Sequence, residues 1–367
     1  MARIGVIAGD GIGVDVIREG LKVLRTADET FKLGLSITEF DYGAERYLKD
    51  GVSLPPGQMD DFRKNWDAVY LGAMGDPRIP DMRHAKDILL AMRFELDLYI
   101  NLRPCIAFDD RLVPLKGKTA KDIQFVMLRE NTEGLYAGMG GIFKKGTPDE
   151  IATQEEINTR KGVERICRAA FETAKKIGRK KVTMADKHNV LRFGHDLWER
   201  AFFEVAKDYP GINAEHMFAD ALAMQMVKAP ENFEVIVTNN MFGDILTDLG
   251  AILQGGLGVA GSGNIHPGQV SLFEPIHGSA PKYAGKDTAS PVAAIATAQM
   301  MLEWLADEGG GVVKGGTKSD PKKLRDAAAA IDKAIVAAVR EGKVTRDLGG
   351  SLGTAATGDW IAARVKG

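Results

Sequence analysis

The sequence predicts an α/β protein with a largely parallel sheet flanked by helices. Three observations carry that prediction. Short apolar runs rich in β-branched residues alternate with longer segments of helical period along almost the whole chain. The 42 glycines suggest many tight connections near strand ends, and arginines, aspartates and a lysine gather at those ends. The 367 residues are too many for one ordinary core, so two domains or lobes are expected.

Composition narrows the function classes. At 45% hydrophobic and 27% charged the chain reads as a soluble globular protein. A net charge of −2 makes no electrostatic case for nucleic acid or an anionic membrane as partner. Cys105 and Cys167 lack metal-ligand spacing and frame no disulfide scaffold, which suits a reducing cytoplasm. Met1 leads almost directly into Ile4–Ala8, with no signal-type segment before it, and no apolar run reaches membrane-spanning length.

In order, Ile4–Ala8 reads as a strand. The turn Gly9-Asp10-Gly11-Ile12-Gly13 follows, and then a helix from about Val14 to Thr26. The turn has the spacing G-x-G-x-G rather than G-x-G-x-x-G, so it is a loop near a ligand and not a dinucleotide fingerprint. Leu35–Phe40 and Asp67–Gly72 read as the next strands. Asp87–Arg93 reads as a helix continuing towards Leu102-Arg103-Pro104, with arginines flanking an apolar stretch. Arginine is the fork-shaped donor for carboxylates; the plainer alternative is a surface arginine on an amphipathic helix.

The strand Ile123–Leu128 runs into Arg129, with Tyr136 on the loop beyond. Residues 140–156 look like a polar, irregular arm, and Asn158–Ile177 is an amphipathic helix. Lys181–Asp186 is a strand that delivers Lys187, a candidate base or an ordinary loop lysine, with His188 as its neighbour. Phe193–Ala206 is a helix, Glu215–Asp220 a strand ending in a carboxylate, and Ala221–Lys228 a short helix. Leu272–Lys286 reads as a long loop of small residues around His277, open to close backbone approach by a flat or phosphorylated ligand. Helices follow at Pro291–Glu303, Pro321–Arg340 and Gly358–Arg364, with a glycine-rich loop at Asp307–Ser319.

The stretch from Phe233 to Gln254 is the most informative. Phe233–Thr238 reads as a buried strand, and Ile245–Gln254 has helical spacing. Asp244 and Asp248 lie four residues apart, so a helix puts both carboxylates on one face. That pair is either a solvated helix face or a site for Mg²⁺ or Mn²⁺. Its place at the C-terminal end of a strand favours the cation. Taken together, Arg93, Arg103, Arg129, Tyr136, Lys187, Asp220, Asp244 and Asp248 describe a substrate. The arginines suggest two carboxylates, the aspartates a divalent metal, and the lysine and tyrosine proton transfers. The combination fits oxidation and decarboxylation of a hydroxy-diacid.

At this point the sequence resembles the β-decarboxylating dehydrogenases, the family of isopropylmalate, isocitrate, homoisocitrate and tartrate/D-malate enzymes. The likeness runs from Gly9 to Gly350. It is carried by Leu102-Arg103-Pro104, Arg129-Glu130-Asn131-Thr132-Glu133-Gly134, Asp186-Lys187, the segment Asn240–Asp248, and Glu274-Pro275-Ile276-His277-Gly278-Ser279-Ala280-Pro281. The resemblance implies an isopropylmalate-dehydrogenase-like two-domain fold with a non-Rossmann cofactor site. Residues 1–102 and 255–367 would form a large cofactor-binding domain. Residues 103–254 would form a small substrate and dimerisation domain, with an arm near 140–156. It implies that Arg93, Arg103 and Arg129 hold substrate carboxylates. It implies that Asp220, Asp244 and Asp248 bind Mg²⁺ or Mn²⁺, with one aspartate and Lys187 coming from the partner of a homodimer. Lys187 would take the C2 hydroxyl proton, hydride would pass to NAD or NADP, and Tyr136 would protonate carbon after CO₂ leaves. His277, Gly278, Ser279, Ala280, Pro281, Lys282, Tyr283 and Ser290 would hold the dinucleotide.

Substrate choice in this family rests on the helix before Arg93. Leu89 and Leu90 stand where isopropylmalate enzymes place apolar residues, and Asp87 would repel the extra carboxylate of isocitrate. The expected substrate is therefore 3-isopropylmalate. D-malate or tartrate comes next, because Lys86, Arg83 and His84 could receive a polar substituent. Isocitrate and homoisocitrate follow. Lys282-Tyr283 resembles the NADP pair of isocitrate enzymes, whereas Asp347-Leu348-Gly349-Gly350 resembles an NAD-type tail, so the two cofactors are not separated. Rival readings are a non-redox nucleotide-binding protein, which needs neither Lys187 nor Tyr136, and a silent subunit, which would not keep all eight site residues.

Overall fold

The computed structural model describes residues 1–366, and its chain divides into two compact units. The first holds Met1–Leu98, Ala107–Ala120 and the described residues from Ala251 onward; the second holds Tyr99–Ile106 and Lys121–Gly250. Ala107–Ala120, placed by the family resemblance within the small domain, thus clusters with the first unit.

In the first unit the strands run in the order Ser36–Phe40, Arg3–Ile7, Ala68–Leu71, Ser271–Pro275 and Gly261–Ile265. All neighbours are parallel except the last pair. Ala68–Leu71 is buried on both faces, which a parallel sheet covered by helices requires. The helices Ile12–Phe31, Val292–Asp307, Pro321–Arg340 and Thr354–Lys366 supply that cover. One cluster of core residues joins Ile7, Val69, Leu71 and Leu272 to Phe62, Ile88, Met92 and Leu98.

Three sequence expectations change here. Gly261–Ile265 and Ser271–Pro275 are buried strands, although the second falls where a loop was expected from Leu272. Gly261-Ser262-Gly263-Asn264 carries residues of poor strand propensity; burial and pairing, rather than local preference, make it a strand. The helix after Asp87 stops at Glu95, and a separate strand, Ile100–Ile106, carries Arg103. The polar helices Ala44–Asp50 and Gln58–Asn65 were also not anticipated; each buries only one residue, so neither shows an apolar stripe.

In the second unit the order is Ile100–Ile106, Gln124–Glu130, Val235–Thr238, Lys181–Asp186 and Asn213–Phe218. The first pair is antiparallel and the rest are parallel. Arg129 is level with Thr238, Thr238 with Ala185, and Asp186 with Phe218. Parallel pairing therefore brings four strand C-terminal ends to one edge. Helix Arg160–Lys176, capped where Thr159 Oγ1 accepts from Gly162 N–H at 3.0 Å, buries Val163, Ile166, Cys167, Ala170, Phe171 and Ala174. The arm is an ordered two-stranded ribbon, Gly140–Phe143 against Ile151–Gln154, with Ile142, Phe143 and Ile151 exposed. Cys105 and Cys167 are buried free thiols.

Candidate active site

In the second unit, five of the expected residues converge at the edge of strand ends. The helix that carries Asp244 and Asp248 is Asn240–Leu253, starting five residues before the apolar stretch that announced it. Asn239 explains the early start: its side-chain oxygen accepts from Phe242 N–H at 2.9 Å and satisfies an open donor of the first turn. Arg129, almost fully buried, crosses this helix at Gly243, where an added Cβ would fall 2.5 Å from Arg129 Cγ. Its guanidinium donates to Asn240 Oδ1 at 2.7 and 2.9 Å and to Asp244, and it lies over the Tyr136 ring at 5.0 Å. Arg103 approaches both carboxylates, at 3.8 Å from Asp244 and 3.7 Å from Asp248, and donates to Thr247 Oγ1 at 2.5 Å.

The electrostatics follow from this packing. Burial pushes the Asp244 carboxyl up, but Arg129, the Tyr136 hydroxyl and Arg103 outweigh it and hold the group below its ordinary range. Asp248 is displaced upward, by burial and by the neighbouring Asp244 charge, with Arg103 opposing. Tyr136 donates its hydroxyl to Asp244 Oδ2 at 2.8 Å, and burial together with that bond raises its pKa, so the phenol keeps its proton. Lys187 and Asp220 form a second group, an ion pair at 2.7 Å that holds the Asp220 carboxyl below its ordinary range. Among the described residues, Asp220, Asp244 and Asp248 do not gather into one three-ligand cluster within the chain. The Asp244 and Asp248 pair nonetheless fits a hard divalent cation: two carboxylates on one helix face, one of them destabilised by the other's charge.

The first unit holds the other expected residues. Residues Lys86–Leu90 form a π-helical turn, a distortion frequent at functional sites. Leu89 and Leu90 are half-buried there, and Leu89 packs on the core. Arg93 is buried against Glu274 at 2.8 Å, yet its Nε has no partner, which leaves a buried donor for an incoming acceptor. His84 is fully buried, with Nε2 2.9 Å from Asp10 Oδ2, and Arg83 lies 3.7 Å from Asp87. His277 is also largely buried, with Nε2 unpartnered, and burial lowers its pKa, so the ring is neutral. Gly278 and Ser279 lead into a short turn at Pro281–Tyr283, entered through Ala280 at a φ of 37°. Lys282 Nζ sits 4.8 Å over the exposed Tyr283 ring. The Ser290 hydroxyl is taken by the Gly258 carbonyl at 2.9 Å.

The glycine-rich turn is fixed by its own protein. Ile12 N–H donates to Ser279 O at 2.8 Å, and a Cβ on Gly11 would lie 2.1 Å from that oxygen. Asp10 accepts from the backbone N–H groups of Ala44 and Gly75.

Sequence reasoning missed several polar partners. Asn240 ties Arg129 to the Glu133 carbonyl, and Glu274 anchors Arg93. A buried network lies behind Lys187: His195 Nδ1 accepts from the Lys187 N–H at 2.9 Å, so Nε2 carries the proton and faces Glu156 Oε1 at 3.1 Å. Asn239 donates to the same Glu156 oxygen at 2.7 Å. His195 occupies a buried position of an amphipathic helix, and its spacing is that of a core residue, so no sequence signal marked it.

The fold and the family match define a dehydrogenase: the chain belongs to the isocitrate/isopropylmalate dehydrogenase family, whose model matches residues 3–363. It is 43% identical over 365 residues to the 3-isopropylmalate dehydrogenase of Thermobifida fusca (strain YX), covering 99% of this chain and 97% of that protein. It is also 43% identical to the 3-isopropylmalate dehydrogenase of Nocardia farcinica (strain IFM 10152), covering 99% of this chain and all of the relative. The crystal structure of isocitrate dehydrogenase from Methylococcus capsulatus superposes with a TM-score of 0.86 at 35% identity, covering 100% of both chains. The protein is therefore a nicotinamide-dependent decarboxylating dehydrogenase, of a family that works with a dinucleotide and a metal ion.

Proposed function

We propose that this enzyme oxidises and decarboxylates 3-isopropylmalate to 2-oxoisocaproate in leucine biosynthesis, with hydride transfer to NAD or NADP. The observation that carries the substrate is the π-helical turn bearing half-buried Leu89 and Leu90 immediately before Arg93. Two adjacent leucines suit a branched apolar substituent and offer nothing to a further carboxylate or hydroxyl. The relatives named above, both 3-isopropylmalate dehydrogenases, support the same choice. The malate or tartrate alternative loses one of its supports, because His84 is committed to Asp10.

In this reading Arg93, Arg103 and Arg129 bind the two carboxylates of the diacid. Lys187 Nζ, acting as the free amine and not as the ammonium of the Asp220 ion pair, takes the C2 hydroxyl proton as hydride leaves C2. Tyr136, which keeps its proton in its present surroundings, gives it to the carbon that has lost CO₂. Asp244 and Asp248, with Asp220, would hold Mg²⁺ or Mn²⁺, which when bound supplies a Lewis acid for the developing carbonyl. The segment His277–Tyr283 with Ser290 would hold the dinucleotide. We place Lys187 and Asp220 in the site of a homodimer partner and the enzyme in the cytoplasm. No described helix is long and apolar enough to cross a membrane.

The test is absorbance at the reduced-nicotinamide band. The purified protein would receive Mn²⁺, NAD or NADP and, separately, 3-isopropylmalate, D-malate, tartrate, isocitrate and homoisocitrate. A clear preference for 3-isopropylmalate is expected; a preference for any other acid would overturn the role given to Leu89 and Leu90.

A further inference from the structure

The second unit carries another group of metal-ligating side chains, separate from the aspartates above. Asp186 ends the strand Lys181–Asp186, and its carboxylate is fully buried. His216 lies on the neighbouring strand Asn213–Phe218, with Nε2 2.8 Å from Asp186 Oδ1. His188, two residues past Asp186, presents Nδ1 3.3 Å from Asp186 Oδ2, and its backbone N–H donates to Oδ1 at 3.2 Å. The two imidazoles face each other with ring centroids 4.9 Å apart. One ligand atom from each of the three residues falls within 4.8 Å of the others. Glu199 Oε2, on the helix Gly194–Ala206, stands 3.6 Å from His188 Nδ1. Both histidines and Glu199 reach solvent, so an ion can enter.

We propose that Asp186, His188 and His216 bind a borderline divalent transition-metal cation such as Zn²⁺ or Co²⁺. Donor chemistry separates this site from the aspartate pair. Two imidazoles and a carboxylate suit zinc, cobalt or nickel, whereas an all-oxygen set suits Mg²⁺ or Mn²⁺. The geometry needs little change. Ligand bonds of about 2.0–2.1 Å in a tetrahedral site put neighbouring donor atoms about 3.3–3.4 Å apart. Of the two carboxylate-to-imidazole separations, the 3.3 Å one already matches that spacing and the 2.8 Å one must open slightly. The ion takes the place of the ring protons that now point at the Asp186 carboxylate. Lys187 lies between two of the ligands in sequence, so an ion here fixes the turn that presents it. If the dehydrogenase reading holds, Zn²⁺ should slow turnover even with Mg²⁺ saturating.

The test does not depend on activity. Co²⁺ is titrated into the full-length protein in excess Mg²⁺, which occupies the oxygen site, and visible absorption is followed. The proposal expects one equivalent of Co²⁺ with the intense bands of a four- or five-coordinate nitrogen-containing site, displaced by Zn²⁺. His188→Gln and His216→Gln should each lower affinity by more than the about 100-fold that loss of an outer-shell partner can cost. Asp244→Asn should leave the bands in place. Weak octahedral-type absorption that the histidine changes do not alter, or bands lost in Asp244→Asn instead, would overturn it. Should the histidine variants fail to fold, proton NMR of the Co²⁺-loaded wild type decides: two paramagnetically shifted imidazole N–H resonances support the site, and none refutes it.

Discussion

The strand ends of the two units are made of different material. In the second unit they deliver side chains of opposite charge that hold one another: Arg129 against Asp244 and Asn240, Arg103 between Asp244 and Asp248, Lys187 against Asp220. In the first unit the ends of Arg3–Ile7 and Ala68–Leu71 run into Gly9–Gly13 and Gly72–Gly75, where backbone meets backbone. Asp10 N–H donates to Ala73 O at 2.7 Å, and Ile12 N–H to Ser279 O at 2.8 Å. The difference teaches what each region tolerates. The second unit should fail when a charge is removed at constant volume, and the first when a single methyl is added at constant charge.

The largest effect is expected at Lys187. Lys187→Met keeps the stem and removes the ammonium. It should lower kcat by about 10²–10⁴-fold, the range of general acid–base catalysis, while dinucleotide affinity measured by fluorescence titration stays near wild type. Unchanged turnover would sink the proposed mechanism. Arg129→Met comes next. It leaves Asn240 without its buried donor and half-exposed Asp244 without a charge partner, and should cost about 1–3 kcal/mol in urea unfolding, the scale of hydrogen bonds to charged groups. A loss below 1 kcal/mol would show that these charged contacts add little to stability, and the contrast between the units would lose its main support.

The same contrast explains which parts were legible beforehand. Charged side chains at the ends of β-branched runs are visible as residue types in order, so Arg103, Arg129, Tyr136, Asp244 and Asp248 could be assigned to one place. Glycine turns are ambiguous. The pattern from Gly9 to Gly13 is compatible with a phosphate cradle, yet its closest neighbours are Ala73 and Ser279 of this chain. Strands such as Gly261–Ile265, held by burial against their partner, leave no local pattern to read. The dyad of His195 and Glu156 escaped for a related reason. Its members lie 39 residues apart in sequence and meet only in the fold, and His195 takes a core position on its helix.

A single added methyl tests the first unit. Gly11 has a φ of 55°, and a Cβ there would fall 2.1 Å from Ser279 O, whereas Gly117 has a φ of 74° with nothing near it. Gly117→Ala should cost about 1–2 kcal/mol from backbone strain alone. Gly11→Ala adds a contact that only backbone movement can relieve, and should cost about 1–3 kcal/mol more. Equal losses in thermal unfolding would mean that conformation, not close approach, selects glycine at position 11.

The smallest effect is a pH dependence in the network behind Lys187. Burial pushes the Glu156 carboxyl up, but His195 and Asn239 outweigh it, and the folded pKa lies below the ordinary value of 4.5. The unfolded chain then binds the proton more readily than the folded one. The stabilisation is present in full above the ordinary carboxyl range and is lost as pH falls through the depressed folded pKa. Glu156→Gln keeps the shape and removes the charge. It should lower stability at pH 7 by about 1–3 kcal/mol, the scale of a hydrogen bond to a charged group. The gap between wild type and variant should close progressively as pH falls from the ordinary carboxyl range through the depressed folded pKa and the wild-type carboxylate takes up its proton. Urea midpoints across that range measure it. A gap that stays constant with pH would mean that the carboxylate's shape matters here and its charge does not, and that His195 is held in its tautomer by the Lys187 amide alone.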